Sequence, residues 1–186
     1  MEILKHPKIL RREDTALLLI DIQEKILPVI FENERVVENA LKLIMGFNVM
    51  RLPVYFTEQY PKGLGNTNAE LLKELNGSAI LKMSFSCSGA GDLFEELIKN
   101  DIKQVVVCGI ESHVCVQQTV LDLLSNGFQV NVAADAVSSR KKFDYETALN
   151  RMNKNGAEIT TTESVLFELL NICGTEEFKS VSKIIK

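Results

Sequence analysis

Val105-Val106-Val107-Cys108-Gly109-Ile110-Glu111-Ser112-His113-Val114-Cys115-Val116 is the stretch that decides the fold. Its first half is apolar without interruption, as in a strand buried on both faces of a sheet. After Glu111-Ser112-His113 the pattern changes to a helical period running from Val114 to Leu124. A strand that turns directly into a helix is the building unit of a parallel sheet. It places Cys115 at the start of that helix, just past the C-terminal end of the strand. A helix N-terminus presents N–H groups and partial positive charge, which favour thiolate over thiol, and the thiolate is the nucleophile.

The same alternation extends in both directions. Thr15–Ile22, Val54–Thr57, Ala79–Lys82, Gln104–Ile110, Gln129–Ala136 and Ile159–Thr161 read as strands. Between and after them, Arg35–Met45, Asn68–Leu75, Leu93–Ile98, Tyr145–Asn155, Glu163–Ile172 and Phe178–Ile185 read as helices. Gln59–Thr67, rich in Gly, Pro and Asn, and Ser84–Gly91 read as loops. The pattern predicts an α/β fold of three layers, a parallel sheet with helices on both faces and right-handed crossovers. No internal repeat, linker or low-complexity tract interrupts it. One domain over residues 1–186 is therefore expected, with an N-terminal arm at 1–13 and a C-terminal segment at 175–186.

A chain of 186 residues with 46% hydrophobic composition is enough for one well-buried core. The net charge is −4 and the basic residues are dispersed, so there is no electrostatic footprint for nucleic acid. The apolar runs are too short to span a bilayer, and the first residues lack the features of a secretory signal. Four cysteines without C-x-x-C spacing argue against a disulfide scaffold or a zinc site. A reducing, cytoplasmic setting is expected.

Two further ionisable residues close apolar strands: Asp21 the first and Lys82 the third. Ligands of parallel sheets bind outside the carboxyl ends of the strands, so the fold can bring Asp21, Lys82 and Cys115 to one rim. Taken singly, Asp21 caps a turn and Lys82 snorkels; the joint occurrence with the helix-start cysteine points to a site. Such a trio can hydrolyse a carbonyl compound. Asp21 is the base that takes the Cys115 proton, and Lys82 holds Asp21 ionised and stabilises the anions. Backbone N–H groups near the helix start hold the oxyanion. No metal or cofactor is required, and the expected partner is a small-molecule substrate. His113 offers another base or a pocket wall, but it stands only two residues before Cys115, where side chains diverge. Gln23 serves a ligand or a loop. Glu58, Gln59 and Tyr60 offer pocket-mouth or subunit contacts. Cys108 reads as core, Cys87 as a loop residue open to solvent, Cys173 as structural, and Asp135 as a partner of loop N–H groups.

These residues resemble the isochorismatase-like cysteine hydrolase family, which includes nicotinamidases and carbamoylsarcosine amidases. The resemblance spans about Asp14 to Leu170. It rests on Asp21-Ile22-Gln23, Ile80-Leu81-Lys82, Gly109 to Val116 and Asp135-Ala136-Val137-Ser138-Ser139. Thr57 to Gly65 is similar to the isochorismatase domain-containing subgroup. The resemblance implies a six-stranded sheet, a cis peptide at Ile110–Glu111, an oxyanion hole from the Glu111 and Cys115 N–H groups, and a homo-oligomer. Nicotinamidases carry an Asp-x-His metal motif where this chain has Thr57-Glu58-Gln59-Tyr60, and many relatives carry an aromatic residue where Ile26 stands. An amide-type substrate is the first expectation. A catalytically silent oligomeric binding protein and a vinyl ether hydrolase of the isochorismatase type stay open beside it.

Overall fold

The computed structural model describes residues 5–186. Six strands form one sheet: β1 (Thr15–Ile20), β2 (Val54–Gln59), β3 (Ile80–Lys82), β4 (Gln104–Ile110), β5 (Gln129–Ser138) and β6 (Glu158–Thr160). Their order is β3-β2-β1-β4-β5-β6, and every pairing is parallel. The expected six-stranded α/β architecture is therefore present. The chain builds outward from β1 in one direction and from β4 in the other. The β1–β4 seam is thus a topological switch point, where the crossover helices leave the sheet on opposite faces.

Burial explains why the strands read as continuous apolar runs. All six residues of β1 and all seven of β4 are buried. Successive side chains alternate between faces. Leu17, Leu19, Val106 and Cys108 pack with α1 (Asn33–Met50), α7 (Thr162–Leu170) and α8 (Glu176–Ile185) through Val36, Leu43, Phe47, Leu166 and Val181. Ala16, Leu18, Ile20, Val105 and Val107 pack on the other face against α4 (Leu93–Lys99), α5 (Gln117–Ser125) and α6 (Lys142–Lys154) through Leu97, Val120 and Met152. Fully burying one such side chain contributes about 1.5–3 kcal/mol, against about 1 kcal/mol for a helix cap. The two apolar faces therefore set the fold, and caps such as Thr175 on the Phe178 N–H only trim helix ends. Among the described residues, no helix is long and apolar enough to cross a membrane.

Several boundaries depart from the pattern read in the sequence, among them four that shape the rim. β1 stops at Ile20, because Asp21 turns into the left-handed region at φ 52°. β5 continues two residues further, to Ser138. The stretch expected as a loop holds a helical turn, α2 (Pro61–Leu64), ahead of the short α3 (Ala69–Leu72). The helix expected to carry Cys115 at its first turn opens instead as a π-helical turn, Ser112–Val116, and α5 follows it.

Gly109 makes the β1–β4 seam possible. Its φ is +133°, and a Cβ there would lie 2.1 Å from the Ile20 carbonyl oxygen. The β4–β5 register shifts between Val107 and Gly109, so the bulge re-aims the end of β4 toward the rim. One residue further on, the Ile110–Glu111 peptide bond is cis.

Candidate active site

Asp21 lies immediately beyond β1, with its N–H donating to the Thr57 carbonyl of β2 at 3.3 Å. Its side chain turns inward and is almost wholly buried. Thr57 Oγ1 donates to Asp21 Oδ1 at 2.7 Å, and Lys82 Nζ donates to Asp21 Oδ2 at 2.5 Å. Lys82 comes from the end of β3, two strands away. Its ammonium group also donates to the carbonyls of Ser84 (3.2 Å) and Phe85 (2.9 Å), so all three donors are used. Taking two charges out of water is costly and is offset only when geometry and remaining hydrogen bonds are satisfied, as they are here.

Cys115 faces this pair from the π-helical turn. The Glu111 carbonyl accepts from the N–H groups of Val114 (3.0 Å) and Val116 (3.2 Å), which flank Cys115 and leave its N–H outside the pair. Thr119 Oγ1 donates to the Cys115 carbonyl at 2.7 Å. The thiol itself donates to Gln59 Oε1 at 3.6 Å. Burial pushes the Cys115 thiol up, to about 12. The nearby Asp21 charge adds to the rise, and Lys82 opposes it. This corrects the expectation of a resting thiolate. The partial charge of a helix terminus is outweighed by desolvation and by the carboxylate, so the free protein holds a thiol.

Asp21 and Cys115 share a cavity of about 250 Å³ at the carboxyl rim. Ile26, Leu64, Phe85, Ile110 and Val114 form its apolar walls; Gln59, Glu111 and Arg140 supply the other polar groups. Among the described residues, no three His, Cys, Asp or Glu side chains cluster so as to hold a metal ion.

The model of the isochorismatase domain matches residues 15–164. Isochorismatase family protein 1B of Dictyostelium discoideum is 41% identical over 179 residues, covering 94% of this chain and 87% of its own. The chain belongs to the isochorismatase family. Isochorismatase domain-containing protein 2 of Danio rerio is 39% identical over 176 residues, 95% of this chain and 89% of the other. A solved structure described as the MAR1 ribonuclease of Caenorhabditis elegans superposes with a TM-score of 0.88 at 35% identity, covering 95% of this chain and 91% of that one.

Within this isochorismatase-like hydrolase fold, the three residues singled out at strand ends come together, whereas four of the six pocket candidates do not line the cavity. Ile26 and Gln59 do. Gln23 is fully buried and spends its amide internally. Its Oε1 accepts from the Gln59 N–H (2.9 Å), and its Nε2 donates to the carbonyls of Gln59 (3.0 Å) and Gly65 (2.6 Å). It braces β2 and the following loop rather than touching a ligand. Glu58 points to the opposite face of β2 from Thr57 and Gln59, where its Oε1 accepts from the Thr67 N–H (2.6 Å) and hydroxyl (2.9 Å). Tyr60 sits beyond the strand end at φ 39° and is exposed outside the cavity. His113 turns away, its Nδ1 2.9 Å from Ser139 Oγ, and makes no bond to Cys115.

Outside the site, Asp135 accepts from the Thr162 N–H at 2.9 and 3.1 Å and so ties β5 to α7. Cys87 is buried, not solvent-facing as expected, because its N–H donates to Thr119 Oγ1 at 2.9 Å and draws the loop inward. Sequence reasoning missed Leu64, Phe85, Val114 and Arg140. The period of two in β2 is a signal that separates Gln59 from Glu58, since Gln59 shares the parity of Thr57.

Proposed function

We propose that this protein hydrolyses a small amide or related carbonyl compound through a thioester on Cys115. The observation that carries the reading is the buried Asp21–Lys82 pair facing a thiol in a small, largely apolar cavity. As Sγ attacks the carbonyl carbon, Asp21 takes the thiol proton and the carbonyl π pair moves onto oxygen. The oxyanion is held by the N–H groups of Glu111 and Cys115. When the carbonyl re-forms, the C–N bond breaks, and the leaving amine takes the proton from Asp21. Water then attacks the thioester, giving a proton to Asp21. The C–S bond breaks, and the sulfur recovers that proton. The high thiol pKa suits this sequence, because ionisation is coupled to bond formation and no free thiolate waits exposed to oxidants.

Lys82 is already neutralised by Asp21 at rest. Its charge becomes available to the developing anions only as Asp21 is protonated, which places stabilisation at the transition state rather than at the ground state. The ribonuclease description of the C. elegans relative is less well supported here. A net charge of −4 repels a polyanion, and a 250 Å³ cavity suits a small molecule better than a strand. The reading also takes the chain as one catalytic domain in a reducing compartment that self-associates. Leu81, Met83 and Phe85 are 60%, 73% and 54% exposed at or just beyond the edge strand β3, an apolar surface suited to a second copy.

The test is ammonia release from a panel of small primary amides, with Cys115→Ala as control and intact-mass detection of an acyl adduct. Turnover that persists in Cys115→Ala ends the covalent route. A panel giving neither ammonia nor adduct favours the silent binding protein.

A further inference from the structure

The cavity has one cationic wall residue, Arg140. It stands two residues past β5, at the same rim as Cys115. Its backbone N–H and its Nε both donate to one oxygen, Glu111 Oε1, at 3.1 and 3.0 Å. The backbone bond seats the Glu111 oxygen, and the Nε bond orients the guanidinium against it. Among the described residues, no hydrogen-bond partner meets Nη1 or Nη2. Lys82 does not compete for this role, since its side chain is buried and its donors are consumed. Arg140 and Glu111 form one ion pair, so the distinction between them lies in unused hydrogen-bonding groups: Glu111 Oε1 already receives two N–H groups, whereas the Arg140 fork keeps its Nη donors.

We infer that Arg140 is a substrate-recognition residue, taking the carboxylate of a short anionic amide in its Nη1/Nη2 fork while the amide carbon meets Cys115. A guanidinium fork matches a carboxylate in two parallel hydrogen bonds, which a lysine does not reproduce. The Arg140 side chain is 59% exposed, so solvent screens long-range attraction and the fork's matched geometry carries the selection. The small cavity keeps the two ends of the substrate only a few bonds apart. The inference rests on the hydrolase reading for the word substrate, but anion capture beside Cys115 is measurable without turnover.

The experiment compares two alkylating reagents of similar size, anionic iodoacetate and neutral iodoacetamide, by peptide mass spectrometry of the intact full-length protein. Cys173, which is exposed, is the internal reference. The expected result is an iodoacetate-to-iodoacetamide rate ratio at Cys115 well above that at Cys173. The ratio falls at least tenfold in Arg140→Gln, falls less in Arg140→Lys and rises in Glu111→Gln, with the iodoacetamide rate in Arg140→Gln within about twofold of wild type. A Cys115 that iodoacetate labels no better than Cys173 in this ratio, or not at all, overturns the inference, as does a ratio indifferent to Arg140→Gln. In parallel, ammonia release from succinamate and from neutral butyramide tests the hydrolase reading. Turnover without charge preference, together with a flat alkylation ratio, sinks the anion site and keeps the enzyme. An Arg140-dependent ratio with no turnover of any amide keeps the anion site and sinks the enzyme.

Discussion

Lys82 Nζ rests 2.5 Å from Asp21 Oδ2, the two side chains 0% and 3% exposed and 61 positions apart in sequence. The pair is held by backbone as much as by charge. Thr57 orients one partner, and the Ser84 and Phe85 carbonyls orient the other. Each residue is therefore a structural debt if its partner is removed.

Lys82→Met leaves a buried carboxylate unpaired and is expected to lower stability by about 3–5 kcal/mol. Urea denaturation of the purified variant measures this. The double variant Lys82→Met/Asp21→Asn recovers most of the loss. A single-variant loss below about 1 kcal/mol would show that no unpaired buried charge is left behind.

Asp21→Asn should separate thiol reactivity from catalysis. The Asp21 charge raises the Cys115 thiol, and Lys82 lowers it. Removing the carboxylate leaves Lys82 unopposed, so the thiol ionises more easily and alkylation by iodoacetamide at pH 8 speeds up severalfold. Amide turnover falls by about 10²–10⁴, because no base remains. Slower alkylation in the variant would mean that Asp21 promotes ionisation at rest.

Alkaline solution should destabilise the fold. Burial raises Cys87 to about 11, Cys115 to about 12 and Cys108 further, from an ordinary value of 9.0. Above pH 9 the unfolded chain loses thiol protons that the native chain keeps. The stabilisation is complete below that pH and declines as pH rises toward the native values. Each thiol adds about 1.4 kcal/mol per pH unit to the decline. Denaturant midpoints at pH 8, 9 and 10 check the slope, and Cys108→Ala should make it shallower even though its absolute stability is lower.

Gly109→Ala places a methyl group against the Ile20 backbone at a φ that disfavours any side chain. A loss of about 3 kcal/mol or more is expected, with amide turnover falling even in the folded fraction, since the bulge aims the nucleophile turn. Wild-type stability in this variant would show that the β1–β4 seam yields easily.

The three charged or nucleophilic groups were legible because each follows an apolar strand: Asp21 and the Cys115 turn follow strands buried throughout, and Lys82 follows the short edge strand, whose Leu81 is exposed. The pocket wall was not. Gln23 and Glu58 carry ligand-competent groups, but which way each points depends on the turn at Asp21 and on strand parity, and both end up tying loops together. Arg140 was missed for a more local reason. Ending the fifth strand at Ala136 puts Arg140 out in a loop, whereas a strand that reaches Ser138 delivers it to the rim. The thiol's protonation state was misjudged because a helix terminus is visible in sequence, while desolvation and a facing carboxylate belong only to the folded chain.

The acid and the ammonium group hang from one wing of the sheet, and the sulfur and the guanidinium from the other; the wings are joined along a single pair of neighbouring strands, β1 and β4. Neither wing contains a partial version of the cleft. A slip of one position along that join would carry the two sets of groups past each other, so the hydrolysis proposed for this molecule is an all-or-nothing property of one zipper.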